Sequence, residues 1–254
     1  MTARTMLGML TPSSNTVLEP ICAAMLRELP TVSAHFSRFR VTEISLTETA
    51  LGQFAEEPML ESASLLADAH VQSICWNGTS ASWLGFDRDR ALCAMIANRL
   101  GIPMTSAVLT IENIFRLTGV RRYGLVTPYL ADVQERIIST FRNEGFECAA
   151  ERNLGLRDNF SFSEVTDDTL QTMVREVAQS GPDAIIILCT NLAGAPLVEK
   201  LEQETGIPIY DSTAAALWGA LRLAHAPAII QGWGQLFRNE PRPLAEMLHT
   251  GSPS

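Results

Sequence analysis

A thiol, a hydroxyl and an amide stand side by side at Cys189-Thr190-Asn191, directly after the apolar run Ala184 to Leu188. Five consecutive apolar residues, three of them β-branched, read as a strand buried on both faces, as in a parallel sheet. Helical spacing resumes near Pro196 with Leu197, Val198 and Leu201. The three polar groups therefore sit at the carboxyl end of a central strand beside a helix start. Open α/β sheets bind ligands there, and amide N–H groups at a helix start favour an anion. A cysteine so placed can act as nucleophile or proton donor. The competing reading is an inert thiol at a strand end, since free cysteine is often buried.

The elements that must position this group repeat along the chain. Thr5 to Leu10 reads as a strand ending in Thr11-Pro12-Ser13-Ser14-Asn15, followed by a helix through Val17, Leu18, Ile21, Met25 and Leu26. Val32 to Val41 reads as a second strand with His35 and Ser37 outward, and Thr47 to Ala69 as mostly helical. Val71 to Trp76 is a third strand closing on Asn77-Gly78-Thr79-Ser80, and helices follow over Arg88 to Leu100 and from Thr105-Ser106 to Gly119. The pattern then restarts: a strand at Tyr123 to Val126 closes on Thr127-Pro128-Tyr129, a helix runs through Val133, Ile137 and Phe141, and Glu147 to Arg152 is strand-like. After a loop at Gly155 to Ser163 come a helix at Asp167 to Gln179, the Cys189 strand, and a helix through Ala216, Leu217 and Leu221.

Thr11-Pro12 recurs as Thr127-Pro128, and Gly101-Ile102-Pro103 recurs as Gly206-Ile207-Pro208. Gly78-Thr79 and Cys189-Thr190 fall at matching places between them. Three echoes in register predict an α/β fold of two pseudo-symmetric, parallel-sheet halves with the active site in the cleft between them. The boundaries are 1–118 for the first half, with 212–224 packing back onto it, 119–224 for the second, and 225–254 for a Pro-rich tail with one short helix around Pro243 to Leu248. The cleft would be lined by Pro12-Ser13-Ser14-Asn15, Gly78-Thr79-Ser80, Pro128-Tyr129 and Cys189-Thr190.

Composition narrows the chemistry. A net charge of −9 over 254 residues argues against nucleic acid and against an anionic membrane surface, while leaving a small anionic substrate open. No apolar run is long enough to span a bilayer, and no signal-peptide pattern is present. The five cysteines (Cys22, Cys75, Cys93, Cys148, Cys189) are odd in number and form no CxxC pair, so neither a disulfide framework nor a metal site is indicated, and a cytoplasmic setting is expected. Lys200 is the single lysine, and neither a P-loop nor GxGxxG occurs, so no cofactor is called for. The four histidines are dispersed. Asp87-Arg88-Asp89-Arg90 reads as a solvated or interfacial ion-pair group at a helix start.

Leu10-Thr-Pro-Ser-Ser-Asn-Thr-Val-Leu-Glu19 closely resembles the amino-terminal motif of maleate cis-trans isomerases. Gly78-Thr79-Ser80, Tyr129 within Val126-Thr-Pro-Tyr-Leu-Ala-Asp-Val133, and Cys189 resemble the active-site set of arylmalonate decarboxylase. Both belong to the aspartate/glutamate racemase superfamily, whose two α/β halves match the repeat; the resemblance covers roughly residues 4 to 224. Racemases and maleate isomerases of this superfamily carry a cysteine at the central strand end of each half. Here the first of those positions is Gly78, as in the decarboxylase. Cys75 lies three residues earlier, inside the strand, and would reach the cleft only through a shifted loop.

With Gly78 opposite Cys189, the resemblance implies one-sided proton chemistry: a cofactor-independent, decarboxylase-like lyase acting on a small malonate-type dicarboxylic acid, with Cys189 protonating the enediolate. The negative charge would be held by donors at Thr79, Ser80 and Tyr129. Gly78 permits close backbone approach, and Asn15 and Thr190 would hold the second carboxylate. Each has a structural alternative: capping or a turn for Thr79, Ser80 and Asn15, and a satisfied interfacial hydroxyl for Tyr129. Trp76, Trp83 and Phe86 would line a pocket or simply be core, with pocket shape set by loops around Trp83, Phe86 and Asn159 to Phe162. Two other readings stand beside the first, an isomerase of the maleate or racemase type, and a catalytically silent small-acid-binding protein. A homo-oligomer is also open.

Overall fold

The structure, a computed structural model, describes residues 4–238; the short helix expected around Pro243 to Leu248 lies outside them. The chain folds into two four-stranded parallel sheets flanked by helices. The first contains β1 (Thr5–Pro12), β2 (Val32–Phe39), β3 (Ser73–Trp76) and β4 (Met104–Ser106), in the order β2-β1-β3-β4. The second contains β5 (Arg122–Thr127), β6 (Glu147–Asn153), β7 (Ala184–Ile187) and β8 (Ile209–Asp211), in the order β6-β5-β7-β8. The same order in both sheets is the pseudo-symmetry that the sequence echoes predict. Every residue of β3 and of β7 is buried, as expected for central strands covered by helices on both faces.

Register makes the two halves comparable residue by residue. Trp76 at the end of β3 pairs with Leu10 and Ser106, and Ile187 at the end of β7 pairs with Val126 and Asp211. Two residues past each lie Gly78 and Cys189. Ser106 then caps the helix Ala107–Thr118 by accepting from the Leu109 amide at 3.1 Å. Asp211 caps the helix Ser212–Leu223 by accepting from the Thr213 and Ala214 amides at 2.9 and 3.0 Å. A side-chain oxygen satisfies amides that a helix start leaves unpaired.

Several sequence expectations change. β4 and β8 are strands of three residues, too short to carry a pattern, where the sequence reads only loops leading into helices. The expected helix over Thr47 to Ala69 is two, Glu48–Gly52 and Glu56–Asp68. Pro58 forces the break: it lacks an N–H and fits only the first turn of a helix. In β2 it is Ser37 that is buried, while Phe36 stays half-buried, because this edge strand is packed by helices on both faces. Asp89 is not solvated either: it is buried, and loss of hydration raises its carboxyl to about 7.

The helix Ser212–Leu223 follows β8 yet packs against β3, β4 and the helix Ala107–Thr118 of the first half. Ser73 donates to the Ala220 carbonyl at 2.8 Å. Gly219 lets the two helices approach, since a Cβ there would run into the Thr110 side chain. Among the described residues no helix is long and apolar enough to cross a membrane.

Candidate active site

The carboxyl ends of the central strands enclose a cavity of about 20 Å³, room for one water molecule. Pro12, Gly78, Thr79, Ser80, Tyr129, Cys189 and Thr190 all line it. Of the residues singled out in the sequence, Ser13 and Asn15 do not, and their hydrogen bonds explain why. Ser13 is exposed, with its hydroxyl accepting from the Val41 amide at 3.1 Å. Asn15 is buried and fully engaged. Its Oδ1 accepts from the amides of Val17 and Leu18 at 3.0 and 2.9 Å, and its Nδ2 donates to the carbonyl and hydroxyl of Thr190 at 3.0 and 3.1 Å. Arg38 fixes the same loop by donating to the carbonyls of Ser13 and Asn15 at 3.0 and 2.9 Å.

Cys189 follows β7 by two residues and is 2 % exposed. Burial pushes its thiol up to about 12, against the pull of the Tyr129 hydroxyl and of the Asn191 and Leu192 amides. The proton therefore stays on sulfur through the neutral range. Tyr129 belongs to the second half, and its hydroxyl shares a 2.6 Å hydrogen bond with that of Thr79 in the first. Burial above all, with Cys189 next, holds its phenol well above the ordinary tyrosine range. Tyr129, Thr79 and Cys189 thus form one buried, proton-bearing group spanning the two halves.

Thr190 is the adjacent junction. Its hydroxyl donates to the Asn77 carbonyl at 2.7 Å, and its carbonyl accepts from Asn15 and from the Thr213 hydroxyl at 3.2 Å. Asn191 accepts from the Thr16 amide at 2.9 Å and donates to the Asn159 carbonyl at 2.6 Å.

Val41, Ile44 and Phe54 also line the cavity, and nothing in the sequence marks them. They are single apolar residues on irregular or short segments, without a period to read. Asn159 joins them from the loop the sequence associates with pocket shape. These segments form a cover clasped by the Arg157–Glu43 ion pair at 2.6 Å and by the Asn159 amide donating to the Thr42 carbonyl at 3.0 Å. Trp76 and Trp83 are wall residues, and each indole Nε1 is buried without a partner. Phe86 instead packs in the core edge-on to Phe141, centroids 5.0 Å apart. Cys75 is fully buried outside the cavity, its Sγ directed at the Trp76 carbonyl at 3.7 Å. Among the described residues no cluster of three or more His, Cys, Asp or Glu side chains forms a metal site.

Two like sheets presenting their central strand ends to one small cavity, with a thiol on one of them, define a class of two-half α/β enzymes. Residues 16–237 match the family model for arylmalonate decarboxylase, and the chain belongs to that family. Among its relatives, a maleate isomerase of Nocardia farcinica is 27 % identical over 245 residues, covering 92 % of this chain and 96 % of that one. The arylmalonate decarboxylase of Bordetella bronchiseptica is 26 % identical over 235 residues, covering 91 % and 95 %. A solved Nocardia farcinica maleate cis-trans isomerase, a mutant with a covalently bound succinylcysteine intermediate, superposes with a TM-score of 0.86 at 24 % identity, covering 93 % of this chain and 99 % of that one. The family thus holds both decarboxylases and isomerases.

Proposed function

We propose that the protein is a cofactor-independent lyase that decarboxylates a small malonate-type dicarboxylic acid, with Cys189 as proton donor. The observation that carries this reading is the single thiol of the cavity, at the strand position where the first half has a glycine whose side-chain space is filled by the Trp76 indole. A carbon–carbon bond of the acid breaks, CO2 departs, and the electron pair left behind forms an enediolate. Preorganised donors hold that charge without reorganising during the reaction: the Tyr129 and Thr79 hydroxyls and the Ser80 group at the helix start. The Cys189 S–H then gives its proton to the carbon, and solvent reprotonates the thiolate. A thiol kept protonated by burial is in the state this step requires.

The alternative is an isomerase of the maleate type, favoured by the backbone likeness to a maleate isomerase. Covalent addition to a double bond asks for a thiolate, and burial opposes that form at Cys189. The two reactions separate in one experiment. The protein is incubated in deuterated solvent with a panel of substituted malonates and with maleate. Release of CO2 with one deuteron placed stereospecifically on the product carbon supports the lyase; conversion of maleate to fumarate without CO2 release overturns it.

A further inference from the structure

One wall of the cavity that holds Cys189 is an aromatic ring. Trp76 ends β3, is fully buried, and rests against Phe39 with ring centroids 5.0 Å apart. A Cβ built on Gly78 would collide with the Cζ2, Cε2 and Cη2 carbons of that indole. The register equates position 78 with Cys189, so the volume that holds a thiol in the second half holds indole carbons in the first. A fused ring braced by Phe39 is not the loose end of a flexible chain, and room for a side chain at 78 would require moving it. The Trp76 Nε1, bonded to one of the ring atoms against Gly78, is buried without a partner, although the residue lines the cavity. Buried N–H groups are rarely left unpaired, which sets this ring, like that of Trp83, apart from an ordinary core tryptophan.

We propose that Trp76 determines the substrate range of the site. It confines the reaction to acids whose reacting carbon carries hydrogen or a methyl group toward Gly78, and it excludes aryl-substituted acids. The inference rests on the cavity being the acid site described above. Replacing Trp76 by valine opens a space against Gly78 that a phenyl ring can enter.

The test compares the protein with Trp76→Val on methylmalonate and phenylmalonate. The ratio of kcat/KM for phenylmalonate over methylmalonate should rise roughly tenfold or more in the variant, the scale on which pocket volume discriminates. An unchanged ratio in a folded variant, or a parent protein that already favours phenylmalonate, overturns the proposal. A parent that turns over neither malonate defeats the lyase reading alone. Stabilisation by the unreactive acids propionate and phenylacetate then still reads the wall, because a ligand of the native state raises the Tm. Phenylacetate should gain on propionate in the variant, and equal gains overturn the proposal. Trp76→Phe, which keeps the stacking on Phe39, serves if valine impairs folding and should move both ratios the same way by less. Independently of any ligand, Gly78→Ala should lower the Tm of the parent by several degrees and that of Trp76→Val by much less. Equal losses in the two backgrounds would show that the indole is not the obstacle.

Discussion

The ends of β3 and β7 are the same piece of structure filled in two ways. Each strand is buried, lies second from its sheet's edge between two parallel neighbours, and is followed two residues later by a cavity-lining residue and then by a threonine. In the second half that residue is Cys189, and the strand ends in the compact Ile187. In the first it is Gly78, and the strand ends in Trp76, whose ring reaches forward over the glycine. The threonines differ too: Thr79 turns to Tyr129, whereas Thr190 joins Asn15, Asn77 and Thr213. A fold with twofold internal likeness thus supports an asymmetric cavity, with a thiol at the strand end of one half and an indole at that of the other.

The sharpest way to break this comparison is to remove the thiol. Cys189→Ala should lower kcat by at least about 10²-fold, the lower end for a general acid–base group, with only a small change in Tm. Retained turnover, measured as CO2 release, would make the two strand ends chemically equivalent and refute the asymmetry. Tyr129→Phe comes next. It deletes one hydroxyl and little volume, so the loss should appear in kcat, at about 10²-fold for one preorganised donor, and an unchanged kcat would leave Thr79 without a catalytic partner.

A smaller effect sharpens the role of the threonines. Asn15→Ala removes the one oxygen that accepts from two amides and leaves Thr190 with fewer partners, which should cost about 2 kcal/mol of stability, the sum of a lost cap and an unmade buried hydrogen bond. Chemical denaturation measures it, and a cost near zero would show that the junction does not hold the halves. A pH-dependent effect separates the two helix caps. Burial raises the Asp211 carboxyl to about 7, and the Ser106 cap in the first half has no such group. Between about 4, where an unfolded aspartate ionises, and 7, the native state keeps a proton that the unfolded chain has lost. The stability from Asp211 is therefore fully present below about 4 and is lost as pH rises to about 7. Asp211→Asn should flatten that part of the Tm-against-pH curve, leaving the slope from Asp89. An unaltered curve would mean that Asp211 titrates normally.

The sequence made the strand ends legible because their signals are local. An isoleucine run stopping just before Cys189-Thr190, and Thr-Pro and Gly-Ile-Pro echoes recurring at a nearly constant offset, locate most of the cavity lining. Its cover was not legible. Val41, Ile44 and Phe54 come from segments without a repeat, and only the folded chain brings them over the site. Asn15 carries a motif-like signal, yet its hydrogen bonds are spent on the backbone and on Thr190. Residue type alone could not separate a ligand holder from a structural tie. Asp89 misled for the same reason: charged neighbours suggest solvent, and burial is a property of the packed helix.

The helix Ser212–Leu223, formed after the last strand, lies against β3, β4 and the helix Ala107–Thr118. That arrangement sets an order of events during synthesis. The first sheet is translated early, but the helix covering one of its faces is made some hundred residues later. At bacterial-to-eukaryotic elongation speeds the delay is on the order of ten seconds. Through that interval the nascent first half carries an uncovered apolar face, and its closure coincides with completion of the second. The two halves, alike enough to look like separate folding units, are bound to finish together.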